Sequence, residues 1–253
     1  MEYLVAFIFG LLVGSFLNVC IYRIPKGKSI VSPPSSCPSC GERIKWYDNI
    51  PVISYLLLRG RCRHCGERIS LRYPVVELLT AFLTVVILWK FGLSISAFYY
   101  LILTYVLIVI SFIDLDTMLV PVKLCYFAML AGILFSPLVL EVSFKDSVLG
   151  ASFGAGLILF IIETYAIFTG KEGMGYGDAN IMALIGAFIG WQKVLLALFI
   201  ASFVGALVGI GYILLKGKNF RVAIPFGPFL SVGGYVTVIY GNKLLEWYLG
   251  GLG

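Results

Sequence analysis

Long apolar stretches run along this chain, separated by short polar connections in all but one place. The apolar runs have soft edges and fall at about 4–22, 74–91, 96–113, 122–140, 147–168, 178–191, 194–215 and 225–245. A helix that crosses about 30 Å of hydrocarbon at about 1.5 Å per residue needs roughly 20 residues. Hydrocarbon offers backbone groups no hydrogen-bond partner, so such runs are expected to be helical. The pattern predicts an all-α polytopic membrane protein with about eight transmembrane helices. The sixth run is short, and a re-entrant segment is the alternative for it. Residues 4–22 are long enough to span and lack both a basic leading region and a small-residue cleavage site. They are expected to be a retained first helix rather than a cleaved signal.

The exception to the pattern is the polar insertion at 23–73, with Pro25, Pro33, Pro34, Pro38 and Pro51 and two cysteine pairs. A domain of this size builds little core and needs a staple such as a metal or a disulfide. The sequence therefore divides into a first helix (1–22), an insertion (23–73) and a helical remainder (74–253). Gly10 and Gly14 are spaced to let helices approach closely. No internal repeat or low-complexity tract is expected.

Composition supports the membrane assignment: 60% of residues are hydrophobic and 13% charged, against about 45–50% and about 25% in soluble domains. The net charge of +6 raises the possibility of nucleic-acid binding, but topology accounts for it better. Ten of the 19 Lys and Arg residues lie in 23–73, and basic loops stay cytoplasmic. With that loop inside and eight crossings, the inner connections add Lys123, Lys171, Lys216, Lys218 and Arg221. The outer ones hold only Lys90, Lys145, Lys193 and Lys243. Both chain ends are then outside the cytoplasm, and the basic loop has the charge to touch anionic lipid heads.

"CPSC" at 37–40 and "CRHC" at 62–65 form two knuckles separated by 21 residues. Four thiolates, two from each tight turn, suit tetrahedral zinc in a structural role. Unmetallated thiols and a redox pair are the alternatives. A redox pair lacks a surrounding βαβ pattern, and a structural disulfide is disfavoured on a reducing face. His64, the one histidine, is able to replace a cysteine ligand but is expected to face solvent. Cys20 and Cys125 fall in apolar runs and read as small core residues.

With a single histidine, a Ser-His-Asp triad or an H-E-x-x-H zinc site would have to use His64, and neither pattern surrounds it. No phosphate-binding glycine loop is present. Acid–base chemistry therefore falls to carboxylates. Asp114 and Asp116 stand in "SFIDLDTMLVP", at the cytoplasmic end of the third run. Asp178 follows Gly173, Gly175 and Gly177 at the cytoplasmic end of the sixth. Asp114 and Asp178 are thus placed on one side at similar depth. Two carboxylates in a site of low dielectric share a proton, so one accepts while the other donates, and such a pair activates water against a peptide carbonyl. The glycines would let an extended substrate approach. Membrane acids also serve as proton relays or face water at the interface. Glu77 and Glu163 are further acids near or within the runs, and Glu163 has no assigned role.

Six segments taken together resemble the type IV prepilin peptidases. They are "GSFLNVCIYRIP" (14–25), the cysteine knuckles, "RYPVVELLTA" (72–81), "IDLDTMLVP" (113–121), "GKEGMGYGDAN" (170–180) and "IPFGPFL" (224–230). These are GxGD-type intramembrane aspartic proteases that also act as N-methyltransferases. The resemblance covers nearly the whole chain. It implies cleavage of the basic leader of type IV prepilins or type II secretion pseudopilins, at the cytoplasmic face of a bacterial inner membrane, followed by methylation of the new N-terminal residue from S-adenosylmethionine. Asp114 and Asp178 match the catalytic pair, with Gly175 and Gly177 in the glycine motif. Cys37, Cys40, Cys62 and Cys65 match the zinc-type cysteines, and Gly60 matches a glycine linked to methylation. Val122 departs from the family, which often has aspartate there. The methyltransferase activity rests on the resemblance alone. A peptidase without methylation, and a zinc-stapled proton-coupled transporter, are the alternative readings. A transporter would be favoured by inverted repeats, and none is seen.

Overall fold

The computed structural model describes residues 1–171, 173–216 and 224–250, of which Lys216 and Leu249 are described by backbone alone. Glu172, Lys218 and Arg221, and the side chain of Lys216, lie outside this description. Nine α-helices occur among the described residues, with no strand beyond isolated bridges. They are α1 (Glu2–Arg23), α2 (Ile53–Leu57), α3 (Arg72–Phe91), α4 (Ile95–Thr117), α5 (Val122–Phe135), α6 (Phe144–Thr169), α7 (Tyr176–Ile189), α8 (Val194–Lys216) and α9 (Gly227–Gly250). Apart from the five-residue α2, each coincides with one of the eight apolar runs. Five helical segments are long and apolar enough to cross a membrane: Glu2–Lys26, Arg72–Phe91, Ile95–Thr117, Phe144–Thr169 and Trp191–Leu215. Helices α5 and α7 are apolar but shorter. At 14 residues, α7 is only about 21 Å long.

The chain forms two compact units, Met1–Leu93 and Ser94–Gly253. In the first, α1 packs along α3, and the expected small-residue contact is present. A Cβ on Gly10 would lie 2.5 Å from the Ala81 Cα, and one on Gly14 would lie 2.7 Å from the Glu77 Cα. The side facing away from this seam carries Leu4, Ile8 and Leu12 on α1 and Leu78 and Phe82 on α3, all exposed. Such an apolar outer face suits lipid. Cys20 and Cys125 are buried, as their apolar surroundings predict.

The insertion corrects the expectation of no repeat. "CPSCGERI" (37–44) and "CRHCGERI" (62–69) build the same small hairpin. In one, the Cys37 N–H donates to the Glu42 carbonyl at 2.9 Å; in the other, the Cys62 N–H donates to the Glu67 carbonyl at 2.8 Å. Gly41 and Gly66 turn at φ +73° and +72°, a left-handed backbone that glycine adopts without strain. Matching bridges join Ser36 to Arg43 and Arg61 to Arg68. A repeat of eight residues is shorter than the periods that mark repeat folds, so a search at those periods passes over it. Between the hairpins, α2 is anchored by the Ser54 hydroxyl, which donates to the Tyr47 carbonyl at 2.8 Å. The Arg63 guanidinium bridges to Asp48 and holds that carboxyl below its usual range.

The second unit is arranged around α7. From Ile181 to Ile189 every residue of α7 is buried. A helix that is apolar on all sides belongs inside a bundle, and α4, α5, α6, α8 and α9 supply the surroundings. The tightest contact is with α6. A Cβ on Gly150 would run into the Gly186 carbonyl, and one on Gly186 into the Gly150 carbonyl. A Cβ on Gly154 would lie 2.5 Å from the Met182 carbonyl oxygen. The end of α7 is tied down by side chains. The Ser147 hydroxyl donates to the Ala187 carbonyl at 2.6 Å, and the Tyr99 hydroxyl reaches the Gly132 and Ala187 carbonyls at 3.0 and 3.2 Å.

Gly186→Ala therefore forces α6 and α7 apart and is expected to destabilise the protein by about 1–3 kcal/mol, the usual range for overpacking. Gly156→Ala, on the same α6 but with open space around it, is expected to be neutral or stabilising by about 0.5–1 kcal/mol. Thermal unfolding in detergent compares the two, and equal melting temperatures would contradict the packing argument.

Candidate active site and metal centre

Asp114 lies on the last turn of α4. The helix is closed by Met118 at φ +54°, whose N–H donates to the Asp114 carbonyl at 2.8 Å. The Asp114 side chain points into the bundle and is 5% exposed. Its Oδ2 accepts the backbone N–H of Gly227 at 3.0 Å. Gly227 opens α9, and a Cβ there would stand 2.5 Å from that carboxylate oxygen and 3.0 Å from the Ile181 Cδ1. Only glycine lets the backbone come this close. The quoted segment "IPFGPFL" had no role assigned to it from sequence; its glycine supplies the N–H that holds Asp114.

Asp178 is the third residue of α7, after the N-terminal cap Gly175, and its N–H donates to the Gly175 carbonyl at 3.0 Å. The helix begins two residues earlier than the apolar run suggested, because Gly175 rather than Asp178 takes the extended cap conformation. An acid in the first turn is favoured by the helix dipole. Asp178 is 7% exposed, and it lies near enough to Asp114 for the charge of one to act on the other. Helices α4, α7 and α9 pack on one another around the pair. Asp116, two residues further along α4, is exposed.

The glycines before Asp178 differ in what they do. A Cβ on Gly177 would strike the Val120 methyl at 2.6 Å, and one on Gly173 the Tyr165 ring at 2.6 Å. Both make room for neighbouring side chains of this chain. A Cβ on Gly175 would meet nothing nearer than the Gly177 nitrogen at 3.9 Å, so the open space lies there. Glu163 also has a partner now, since its Oε1 accepts the Tyr176 hydroxyl at 2.8 Å.

In the first unit the sulfurs of Cys37, Cys40, Cys62 and Cys65 all lie within 4.8 Å of one another. The Cys37 and Cys65 sulfurs are 3.9 Å apart. Tetrahedral zinc with bonds of about 2.3 Å places its sulfurs about 3.8 Å apart, so the donor set fits that metal with little movement. The Cys40 N–H points at the Cys37 sulfur and pulls its thiol down to about 7. The Cys65 N–H lowers Cys62 in the same way. Both effects favour thiolates at these two positions, whereas burial and the neighbouring sulfurs hold Cys40 and Cys65 up. His64 is exposed and stands apart from the cluster. Gly60 is buried at φ +65°, where its N–H closes α2 onto the Tyr55 carbonyl at 2.8 Å and a Cβ would stand 2.8 Å from the Tyr55 hydroxyl. Its carbonyl then accepts the Ile69 N–H of the second hairpin at 2.7 Å.

Known proteins match the chain across both units. The model of the bacterial peptidase A24 N-terminal domain covers residues 8–91, and that of the type IV leader peptidase family covers 101–210. A prepilin leader peptidase/N-methyltransferase of Aeromonas hydrophila is 40% identical over 267 residues, spanning 96% of this chain and 92% of that protein. Those of Pseudomonas putida and Pseudomonas aeruginosa are 38% and 37% identical, and each spans 91% of its own length. No solved structure matches the chain. The likeness runs from α1 through the cysteine hairpins to the helices that carry the carboxylates, and on it the chain belongs to the type IV leader peptidase family.

Proposed function

We infer that the chain is a multi-pass membrane enzyme that cleaves the leader peptide from type IV prepilins or type II secretion pseudopilins and then N-methylates the new N-terminus. What supports the peptidase reading is that Asp114 and Asp178, buried side chains of two different helices, lie within range of each other's charge, with the Gly227 amide on Asp114. Burial makes two neighbouring charges unfavourable, so the pair holds one proton between them. The ionised member takes a proton from water as the oxygen attacks the scissile carbonyl. The protonated member donates to the carbonyl oxygen. The other member, now carrying the proton taken from water, gives it to the leaving amine as the carbon–nitrogen bond breaks, and the first member takes back its proton as the carbonyl re-forms. The Gly227 N–H keeps the Asp114 carboxyl oriented throughout. The open side of Gly175 is where an extended peptide would lie.

The four cysteines are proposed to hold structural zinc, which would fix the two hairpins of the 23–73 insertion, and S-adenosylmethionine is the proposed methyl donor. Eight crossings are proposed, with the short α7 accepted because protein rather than lipid surrounds it. The excess of Lys and Arg in 23–73 supports an inner-membrane orientation with the insertion and the carboxylate pair facing the cytoplasm. The helices of the second unit, from α4 onward, are proposed to form the peptidase part, while α3 packs on α1 in the first unit.

Asp114→Asn and Asp178→Asn are each expected to lower cleavage of a prepilin peptide by at least about 10²–10⁴-fold while the protein stays inserted. Asp116→Asn, at an exposed position, is expected to retain most activity. Asp178→Asn should also still methylate a peptide that already begins at the mature N-terminus. Peptide masses with and without S-adenosylmethionine read all three. Cleavage surviving in Asp114→Asn but lost in Asp116→Asn would reverse the assignment.

Elemental analysis is expected to find about one zinc per chain, lost on replacing any one of the four cysteines. Gly60→Leu, which puts a branched side chain against Tyr55 at a left-handed position, is expected to loosen the same hairpins and to impair methylation more than cleavage. Wild-type protein without stoichiometric metal would remove the zinc assignment. Cleavage falling as far as methylation in Gly60→Leu would remove the division of labour.

A further inference from the structure

The first unit contains a cavity that reaches from the cysteine cluster, with Cys37 and Cys62 in its wall, to the packed ends of α1 and α3. Its volume is about 590 Å³, within the range of about 300–1,000 Å³ common for ligand sites. The end of α1, the two hairpins, α2 and the start of α3 form its walls. Arg43, Arg63 and Arg68 line its exposed part. Asn18 and Glu77 line its buried part.

Both of these buried groups present acceptors. Asn18 is 2% exposed. Its Nδ2 donates to the Gly14 carbonyl at 3.3 Å and to the Tyr73 carbonyl at 3.1 Å, which sets the orientation of the amide. The Oδ1 is left without a donor. Glu77 is 7% exposed, and its Oε2 accepts the Val52 N–H at 2.8 Å, with the Ser15 hydroxyl as a further partner. Asn18 lies one helical turn beyond Gly14, which sits directly against the Glu77 backbone, so the two residues stand about a turn apart along the α1–α3 seam, with the Asn18 Oδ1 closed over in this structure. Val52, also in the wall, stands at φ +61°. A β-branched residue holds that conformation only where its surroundings enforce it, and such strain gathers at ligand sites.

An orphaned buried carbonyl beside a buried carboxylate is unfavourable unless a donor arrives. A ligand ammonium supplies both donors and the opposite charge. We propose that this cavity receives the N-terminal ammonium of the cleaved peptide on Asn18 Oδ1 and the Glu77 carboxylate, and presents it for methylation. The proposal rests on the methyltransferase reading above. In the step, the ammonium passes one proton to the Glu77 carboxylate. The freed amine nitrogen attacks the methyl carbon of the sulfonium donor. The nitrogen–carbon bond forms as the carbon–sulfur bond breaks, and the sulfur keeps that electron pair as a neutral thioether. The positive charge ends on the secondary ammonium product.

Glu77→Gln keeps the shape and an acceptor for the Val52 N–H while removing the charge. Two synthetic peptides with the mature N-terminal sequence, one with a free and one with an acetylated amine, are titrated into the full-length protein in detergent with S-adenosylhomocysteine present. Wild type is expected to bind the free amine at least about tenfold more tightly, the scale of a charge-assisted hydrogen bond. In Glu77→Gln that preference disappears and methylation falls by about 10²-fold or more. Precursor cleavage, zinc content and S-adenosylhomocysteine affinity stay as in wild type. Equal binding of the two peptides by wild type overturns the proposal, however well Glu77→Gln folds. Joint loss of zinc, cleavage and methylation in Glu77→Gln would make Glu77 a structural partner of Val52 and overturn it as well. Wild type that prefers the free amine but transfers no methyl group would keep the amine site and remove the methyltransferase reading.

Discussion

Burying two carboxylates in an apolar bundle is the constraint around which the second unit is arranged. An isolated charge in low dielectric is strongly unfavourable, so the fold must supply polar groups that do not move. Asp114 has the Gly227 N–H, and Asp178 has the first turn of α7. Both arrangements depend on backbone coming closer than a side chain allows. That is why Gly227, Gly177 and the α6–α7 glycines are met by neighbours that a Cβ would strike. Helix α7, buried along most of its length and tied at its far end by Ser147 and Tyr99, holds Asp178 at a set depth.

The first unit meets a different difficulty. Its insertion is too small for a core of its own and instead uses two copies of one hairpin whose sulfurs converge. Because each hairpin repeats the same hydrogen bonds and the same left-handed glycine, the four sulfurs are presented with near-equivalent geometry. A metal there would hold α2 and the Gly60 turn in place, and with them part of the wall of the cavity that contains Asn18 and Glu77. The staple and the proposed amine site are then two consequences of one small fold: one organises backbone, the other uses the space left beside it.

The two units differ in the chemistry their acids support. The second unit brings two carboxylates together, which favours sharing one proton between them and suits hydrolysis. The first places one carboxylate beside a neutral carbonyl, which favours binding a cation. The number of acids buried together would then separate the proposed cleavage site from the proposed amine site.

Much of the architecture was legible along the chain. Apolar runs are helical where water cannot satisfy the backbone, so the helices from α1 to α9 other than the short α2 were placed to within about five residues. The cysteine spacing marked the cluster that could hold a metal, because two residues between cysteines is a local property of a turn. The paired aspartates could be named, because few acids sit at the ends of apolar runs. What lay beyond sequence depended on contacts between distant residues. That Gly227 holds Asp114 across 113 positions, that Gly177 makes way for Val120, and that Glu163 meets Tyr176 are facts of packing, invisible to local pattern. So is the orphaned Asn18 carbonyl, which reads in sequence as one polar residue in an apolar helix. Sequence determined which segments are helices and which residues carry reactive groups, since length, hydropathy and ligand spacing are local. Only the tertiary structure decided which of those groups meet and which backbone atoms hold them, since that follows from how close two helices can pass.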